Sequence, residues 1–322
     1  MRGFVGTQGR MRTELWASLA ILAGVAVLPA IMTNDYWRGV IVVSMYFALL
    51  AIGWNLLAGY TGQFSLAPAT FGMIGGYTTG LLAYHLDATA LSGIPAAILV
   101  AGSVGFVLAR IVMRLRGPYL ALTTLSFAEI MRLVIGNSID ITRGDLGLNV
   151  PSLFDDRLVY YYVILAVLAG IQVGIYALLR RPAGLYLRAI RDDEVAAAGR
   201  GVMIVRWKTY AFTISAAISG LAGALYGHFA QLVSPEMGLI SQSGLIISMV
   251  VIGGLGTLVG PIGGAFLVYV ASEVLRGFGG YQLIVLALLV IVFARFFREG
   301  LWGLLRAGYE RLVARPTAAP AE

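Results

Sequence analysis

Apolar residues run through this chain in long blocks, and the polar residues gather between them. A helix rising 1.5 Å per residue needs about 20 such residues to cross a hydrocarbon layer of about 30 Å. Ten blocks approach that length, at 14–32, 38–57, 68–86, 93–113, 118–136, 158–179, 209–231, 241–256, 260–275 and 280–297. The pattern predicts an all-α polytopic membrane protein of about ten spans. The eighth and ninth blocks meet in Val250–Gly264, VVIGGLGTLVGPIGG, which is glycine-rich and contains Pro261. Proline removes a backbone donor and each glycine weakens a helix by about 1 kcal/mol, so a turn or unwound segment is expected there. Such backbone survives at membrane depth only under cover of protein or a water-filled cavity.

Glycine elsewhere falls at helical spacing: Gly72, Gly76 and Gly80 in the third block, Gly223 and Gly227 in the seventh, Gly260 and Gly264 in the ninth. Four-residue repeats put bare backbone on one face and let helices approach closely. That face serves compact packing or a moving helix interface, and the same residues suit both.

Composition agrees with a bilayer as solvent. Of the 322 residues 59% are hydrophobic and 12% charged, whereas soluble domains carry about 25% charged residues. The net charge of +7 is clustered between apolar blocks, which points to loops facing anionic lipid and away from nucleic acid. Cysteine is absent, which removes disulfides, thiol nucleophiles and thiolate metal sites. The basic start, Arg2, Arg10 and Arg12, imitates a signal peptide, but the apolar run to Met32 exceeds the usual 7–15 residue signal core and reads as a first span.

Lys and Arg favour the cytoplasmic side. With the N-terminus inside, 18 of the 23 basic residues fall in cytoplasmic segments, including seven between Arg180 and Lys208. Both termini are therefore expected inside. The expected organisation is a cytoplasmic segment 1–13, a transmembrane domain 14–297 with an internal loop 180–208 and an external loop 137–157, and a cytoplasmic tail 298–322. The external loop is polar and acidic, either a docking surface for an external partner or a solvated connection. The internal loop is expected to hold a short amphipathic helix, with Asp192, Asp193 and Glu194 near its start and Gly199 and Gly201 near its end.

The candidate chemistry is sparse. A P-loop needs Gly-Lys-Ser/Thr, and the only lysine, Lys208, follows Trp207. Energy must come from another subunit or from an ion gradient. Glu129 reads as the one carboxylate well inside a span, with Arg132 three residues on and placed for a charge pair. A structural pair, a path lining and a proton relay all remain open for it. Glu273 and Arg276 form a similar pair nearer a span end. His85 and His228 stand apart without a neighbouring metal-ligand cluster, and no metal or cofactor is expected. Asn55, Gln63, Ser65, Thr123, Thr124 and Ser126 are uncharged hydrogen-bonding groups in or beside spans, suited either to passing a zwitterionic or neutral amide solute or to joining helices.

The internal loop carries a more specific signal. Arg188-Ala-Ile-Arg-Asp-Asp-Glu-Val-Ala-Ala-Ala-Gly-Arg-Gly201, followed by Ser215-Ala-Ala-Ile-Ser-Gly-Leu-Ala-Gly-Ala-Leu-Tyr226, resembles the permeases of branched-chain amino-acid ABC importers, and within them the LivM-type subunits. Gly59-Tyr-Thr-Gly-Gln-Phe-Ser65, the block from Arg116 to Ile130, Thr142-Arg-Gly-Asp-Leu-Gly147, Ser234-Pro-Glu236 and Val251-Ile-Gly-Gly-Leu-Gly-Thr257 follow the same order, so the resemblance runs from about residue 40 to 297. The chain departs where Ala67-Pro68 stands for the family's usual Gly-His pair, and where Gly199-Arg-Gly201 replaces Ala-Leu-Gly.

The resemblance implies a type II importer-like fold and a bacterial inner-membrane location. It implies four kinds of neighbour: a second, LivH-like permease, two cytoplasmic ATPases, an external binding protein and membrane lipid. It implies no enzyme activity in this chain. A cytoplasmic helix spanning 188–201 would couple to the ATPases, with Arg188, Arg191, Asp192, Asp193, Glu194, Ala196, Ala197 and Gly201 as its contact residues. Asn55, Gln63, Ser65, Thr123, Thr124 and Glu129 are the candidate pathway residues. Urea and short-amide permeases share the superfamily. A proton-coupled secondary transporter would need an inverted repeat with matched acids, and the second half shows none matching Glu129. A membrane enzyme would need His/Asp or metal-ligand clusters, and none is visible.

Overall fold

The computed structural model describes residues 2–32, 34–115, 118–279, 284–285, 287–288, 291–292 and 300–303. Within them the long helices are α1 (Arg2–Ile31), α2 (Asp35–Thr61), α3 (Pro68–Leu86), α4 (Ala90–Val112) and α5 (Pro118–Asn137). After a short α6 (Ile139–Thr142) come α7 (Arg157–Arg180), α8 (Pro182–Asp192), α9 (Glu194–Gly199) and α10 (Ile204–Ala230). Two shorter apolar helices, α11 (Ile240–Gly253) and α12 (Gly260–Leu275), complete the set. Two-residue strands β1 (Leu148–Asn149) and β2 (Leu232–Val233) pair antiparallel, Leu148 opposite Val233. Six of these helices are long and apolar enough to cross a membrane. The expected tenth span, 280–297, and the tail 298–322 lie almost entirely outside the described residues.

Two boundaries differ from the sequence expectation. The first helix begins at Arg2 and absorbs the segment 1–13, because the Arg10–Glu14 pair spans one turn at 3.1 Å and Met11 and Leu15 turn inward. The internal loop holds two helices instead of one. Asp193 takes an extended backbone and its carboxylate accepts the N–H groups of Val195 and Ala196, at 2.8 and 3.1 Å. Asp193 thus caps α9, and Asp192 belongs to the end of α8, not to a helix start.

The core is built around α2, which is buried on all sides from Val40 to Thr61 apart from Val43. A helix apolar all round belongs inside a bundle. It is surrounded by α3, α7, α10, α11 and α12, with α1 outside α7 and α4 outside α3 and α10. The α3–α10 contact depends on glycine. A Cβ on Gly223 would land on the carbonyl of Gly72, and one on Gly75 on the carbonyl of Gly220. The glycine repeats of the third and seventh blocks thus meet backbone against backbone at Gly72 and Gly223, and Gly75 and Gly220 join the contact. The expected interruption in Val250–Gly264 is present: α11 stops at Gly253, α12 starts at Gly260 with Pro261 in its first turn, and residues 254–259 are non-helical.

The two ends of the bundle differ. One carries α8, α9, the starts of α1 and α10, the end of α2 and the 254–259 break. The other carries the β1–β2 pair, folded with Met73, Tyr77, Ile135 and Met237 into a small second core. The segment 137–157 caps α3 through buried Thr142, Gly144, Leu148 and Val150, while most of its other residues are exposed. His228 is buried there, its ring nitrogens 2.8 Å from Thr79 Oγ1 and 2.8 Å from the Pro151 carbonyl oxygen, so it pins the cap to α10. His85 is exposed, within 3.2 Å of the Ile141 carbonyl.

Overpacking a tight helix contact costs about 1–3 kcal/mol, so Gly223→Val should lower the melting temperature of the purified protein by roughly 2–5 °C. Gly170→Ala, where a Cβ meets nothing within 4 Å, should leave it unchanged or raise it slightly. Thermal unfolding followed by fluorescence-detected size exclusion reads both, and equal melting temperatures would contradict the seam.

Candidate functional site: the junction at the α8–α9 end

The break at 254–259 leaves backbone groups that neither α11 nor α12 can satisfy, and side chains from three other helices supply the partners. Asn55 on α2 donates its amide to the Thr257 carbonyl at 2.9 Å and accepts the Gly256 N–H at 2.8 Å. Glu14 on α1 accepts the Leu258 N–H at 3.0 Å, and Gln172 on α7 donates to the Leu258 carbonyl at 2.7 Å and to Ser18 at 3.2 Å. All three side chains are buried, Glu14 at 3% exposure. Glu129, singled out from the sequence, is thus not the one helix-borne carboxylate inside the bundle: Glu14 was missed and is the more deeply buried. The signal was its four-residue spacing from Arg10, which only makes sense once the helix is known to start upstream.

The internal helices bind to this same region. Arg191 of α8 donates to the Gly59 carbonyl at 3.0 Å, near the end of α2, and to Asp192 at 3.2 Å. Gly59 lies directly against Asn55 and Gly256, where a Cβ would collide with both. Arg191 thus reaches the spot where α2 meets the break. Arg188 donates to the Leu179 carbonyl at 3.2 Å, covering a terminal carbonyl of α7 with a cation. Tyr186 of α8 packs on Trp207 of α10 with ring centroids 5.0 Å apart.

The first residue of α9 makes the second attachment. Glu194 accepts from the ammonium of Lys208 at 2.5 Å and from the Gln63 amide at 3.2 Å. Lys208 is the chain's only lysine and is 1% exposed. A buried ammonium requires a charged or multiply hydrogen-bonded partner, so Glu194 is committed to it. One carboxylate thereby ties α9 to α10 and to the loop 62–67 that joins α2 to α3. That loop is itself held: Trp54 donates to the Ser65 carbonyl at 2.7 Å, Thr124 accepts the Leu66 N–H at 3.0 Å, and the Ser65 hydroxyl accepts the Ala67 N–H at 3.3 Å.

The sequence candidates divide accordingly. Gln63, Ser65 and Thr124 meet at the 62–67 loop, and Asn55 lies at the break. Among the described residues Thr123 and Ser126 bond only to the carbonyls of Tyr119 and Leu122 on their own helix. Glu129 pairs with Arg132, whose Nε lies 3.1 Å from Oε2, on a part-exposed face of α5. The six candidate pathway residues therefore do not converge on one cavity. Among the coupling candidates, Asp192, Asp193 and Ala196 are exposed, as is Gly201, which turns the chain with φ of 84°. Ala197 points inward at 4% exposure, whereas Val195 is 72% exposed. The outer face of α9 is Val195, Ala196 and Ala198, and Ala197 packs within the chain. Among the described residues no group of three or more His, Cys, Asp or Glu could hold a metal.

Residues 37–294 match the family described as branched-chain amino acid transport system / permease component. The chain belongs to that family. It is 31% identical over 318 residues to the high-affinity branched-chain amino acid transport system permease protein LivM of Salmonella typhimurium, covering 89% of this chain and 75% of the relative. LivM of Escherichia coli strain K12 gives the same figures. LivH of that Escherichia coli strain is 26% identical over 262 residues, covering 74% of this chain and 84% of the relative. No solved structure matches the chain at a significant level. All three relatives are named as permease proteins of high-affinity branched-chain amino acid transport systems. The chain is a multi-pass membrane protein homologous to both members of a permease pair.

Removing one partner of a buried charge pair costs about 3–5 kcal/mol. Glu194→Ala should therefore reduce folded yield sharply, because Lys208 is left unpaired. The double variant Glu194→Met with Lys208→Met should recover most of the yield yet transport poorly, since α9 is no longer held to α10. Yield by size exclusion and uptake by the assembled importer check the two halves. Full transport by the double variant would contradict a coupling role for the pair.

Proposed function

We propose that this chain is a permease subunit of an ATP-binding-cassette importer and forms half of a pathway for branched-chain or other small amino acids delivered by an external binding protein. The observation that carries the reading is the double attachment of α8 and α9. They project an outer face of Val195, Ala196 and Ala198 while Arg191 and Glu194 lock them to the ends of α2 and α10. A segment that docks a motor needs both an accessible small-residue face and a stiff link to what moves. A hollow of about 760 Å³ beside α9, lined by Phe106, Ala198, Val202, Met203 and Tyr210, extends that face toward α4.

The α8–α9 end is the cytoplasmic one on this reading. Arg10, Arg110, Arg180, Arg200 and Arg206 cluster toward it, as basic residues do on the inner side of a bacterial plasma membrane. That orientation puts the N-terminus inside and the β1–β2 cap outside. An even number of spans, about ten within 14–297, returns the tail 298–322 to the inside. The partners are a LivH-like permease, two ATPases, one of them docked on α9, and a binding protein over the cap. The carboxylates Glu14 and Glu129 are each paired with an arginine, an arrangement suited to structure and not to a proton relay.

In proteoliposomes holding the whole complex, uptake should require ATP on the cytoplasmic side and binding protein outside, and should survive an uncoupler. Placing an arginine at a docking position costs on the order of 2 kcal/mol, about 30-fold in association, so Val195→Arg should lose ATPase association and uptake while the permease still reaches the membrane. Ala197→Arg, by contrast, should fail to fold. Uptake by this chain alone under an imposed pH gradient would contradict the importer-subunit reading.

A further inference from the structure

A cavity of about 400 Å³ opens at the β1–β2 end between α2, α10, α11 and α12, away from the junction described above. Pockets for small molecules run about 300–1,000 Å³, mostly apolar with a few polar groups. This one has an aromatic wall. Tyr46 and Tyr226 stack with centroids 4.4 Å apart, and Phe47 lies 5.2 Å from Tyr269. Two polar side chains also line it, Glu236, which is exposed, and Gln242, which is half-buried. Among the described residues the Glu236 carboxylate makes no hydrogen bond or ion pair, unlike Glu14, Glu129, Glu194 and Glu273, each of which is paired. A free carboxylate lining the same cavity as aromatic rings is the chemistry that receives an alkylammonium group. The Gln242 amide can donate to a carboxylate, and the apolar wall can take an aliphatic side chain.

We propose that this cavity is a binding site within the permease for the zwitterionic amino acid, with Glu236 and the tyrosine faces taking the ammonium group and Gln242 the carboxylate. The proposal rests on the importer reading for its choice of ligand. The site would hold the substrate on the outer side of the subunit after release from the binding protein. The permease then selects for an amino group, and not merely for whatever the binding protein delivers.

The chain contains no cysteine, so a single introduced thiol reports on this subunit alone. Leu232→Cys places one at the cavity rim, on a residue that is 43% exposed and outside the proposed contacts. In the assembled complex without binding protein, free leucine should slow modification by a charged methanethiosulfonate, by about tenfold at ten times the half-protecting concentration, as mass action requires. The carboxylic acid with leucine's side chain but no amine should not protect. Adding Glu236→Gln should raise the half-protecting leucine concentration by about tenfold or more, the loss expected for a charge-assisted contact. Ser234→Cys serves as a second reporter should Leu232→Cys assemble poorly. Absence of leucine protection at either rim position, or equal protection by the amine-free acid, overturns the site. ATP-driven leucine uptake measured on the same complex with its binding protein keeps this outcome separate from failure of the importer reading.

Discussion

The interaction on which this architecture turns is the two-way hydrogen bond between Asn55 and the break at 254–259. An unwound segment between two apolar helices exposes N–H and C=O groups, and each one left unsatisfied away from water costs about as much as a lost hydrogen bond or more. One amide side chain meets a donor and an acceptor at once, reaching Gly256 and Thr257. Glu14 and Gln172 complete the set at Leu258. Because these groups come from α2, α1 and α7, the break is rigidly registered to the most buried helix of the bundle. α11 and α12 can then be short and reverse direction at that end.

That registration explains why the internal helices sit where they do. Arg191 reaches the Gly59 carbonyl one turn beyond Asn55, and Glu194 holds Lys208 and Gln63. These contacts join α9 to the start of α10 and to the α2–α3 loop, and α8 to the end of α2. Backbone contact between α3 and α10 at Gly72 and Gly223 carries any movement of α10 onward without side chains to absorb it.

Much of this was legible in the sequence, for identifiable reasons. Long apolar blocks located nine helices to within a few residues of most ends, because hydropathy and glycine or proline punctuation act locally. The Val250–Gly264 interruption was readable for the same reason. Start positions set by side-chain pairing were not: Arg10–Glu14 carries α1 to Arg2, and Asp193 splits the internal segment by capping α9. Which small residue of Ala196-Ala-Ala198 faces outward depends on how α9 is seated, so Ala197 looked available and is buried. Lys208 read only as a basic loop residue, since its partner lies 14 positions away and its burial follows from tertiary packing. Asn55, Gln63 and Ser65 were recognised as unusual, but their use in satisfying broken backbone emerges only when distant segments meet.

Arg191 joins α8 to Gly59 and lies against Gly256, so on the importer reading α8 and the 254–259 break should move as one body when ATP binds. Spin labels on Leu185→Cys and Leu255→Cys, two exposed positions on these elements in a chain without native cysteine, measure their separation by pulsed electron resonance in the assembled complex. The account predicts that this distance distribution is the same with and without bound ATP, while the distance from Leu185 to a label on Leu146, in the cap at the opposite end, changes. A Leu185–Leu255 distance that shifts on ATP binding by as much as the Leu185–Leu146 distance would contradict it.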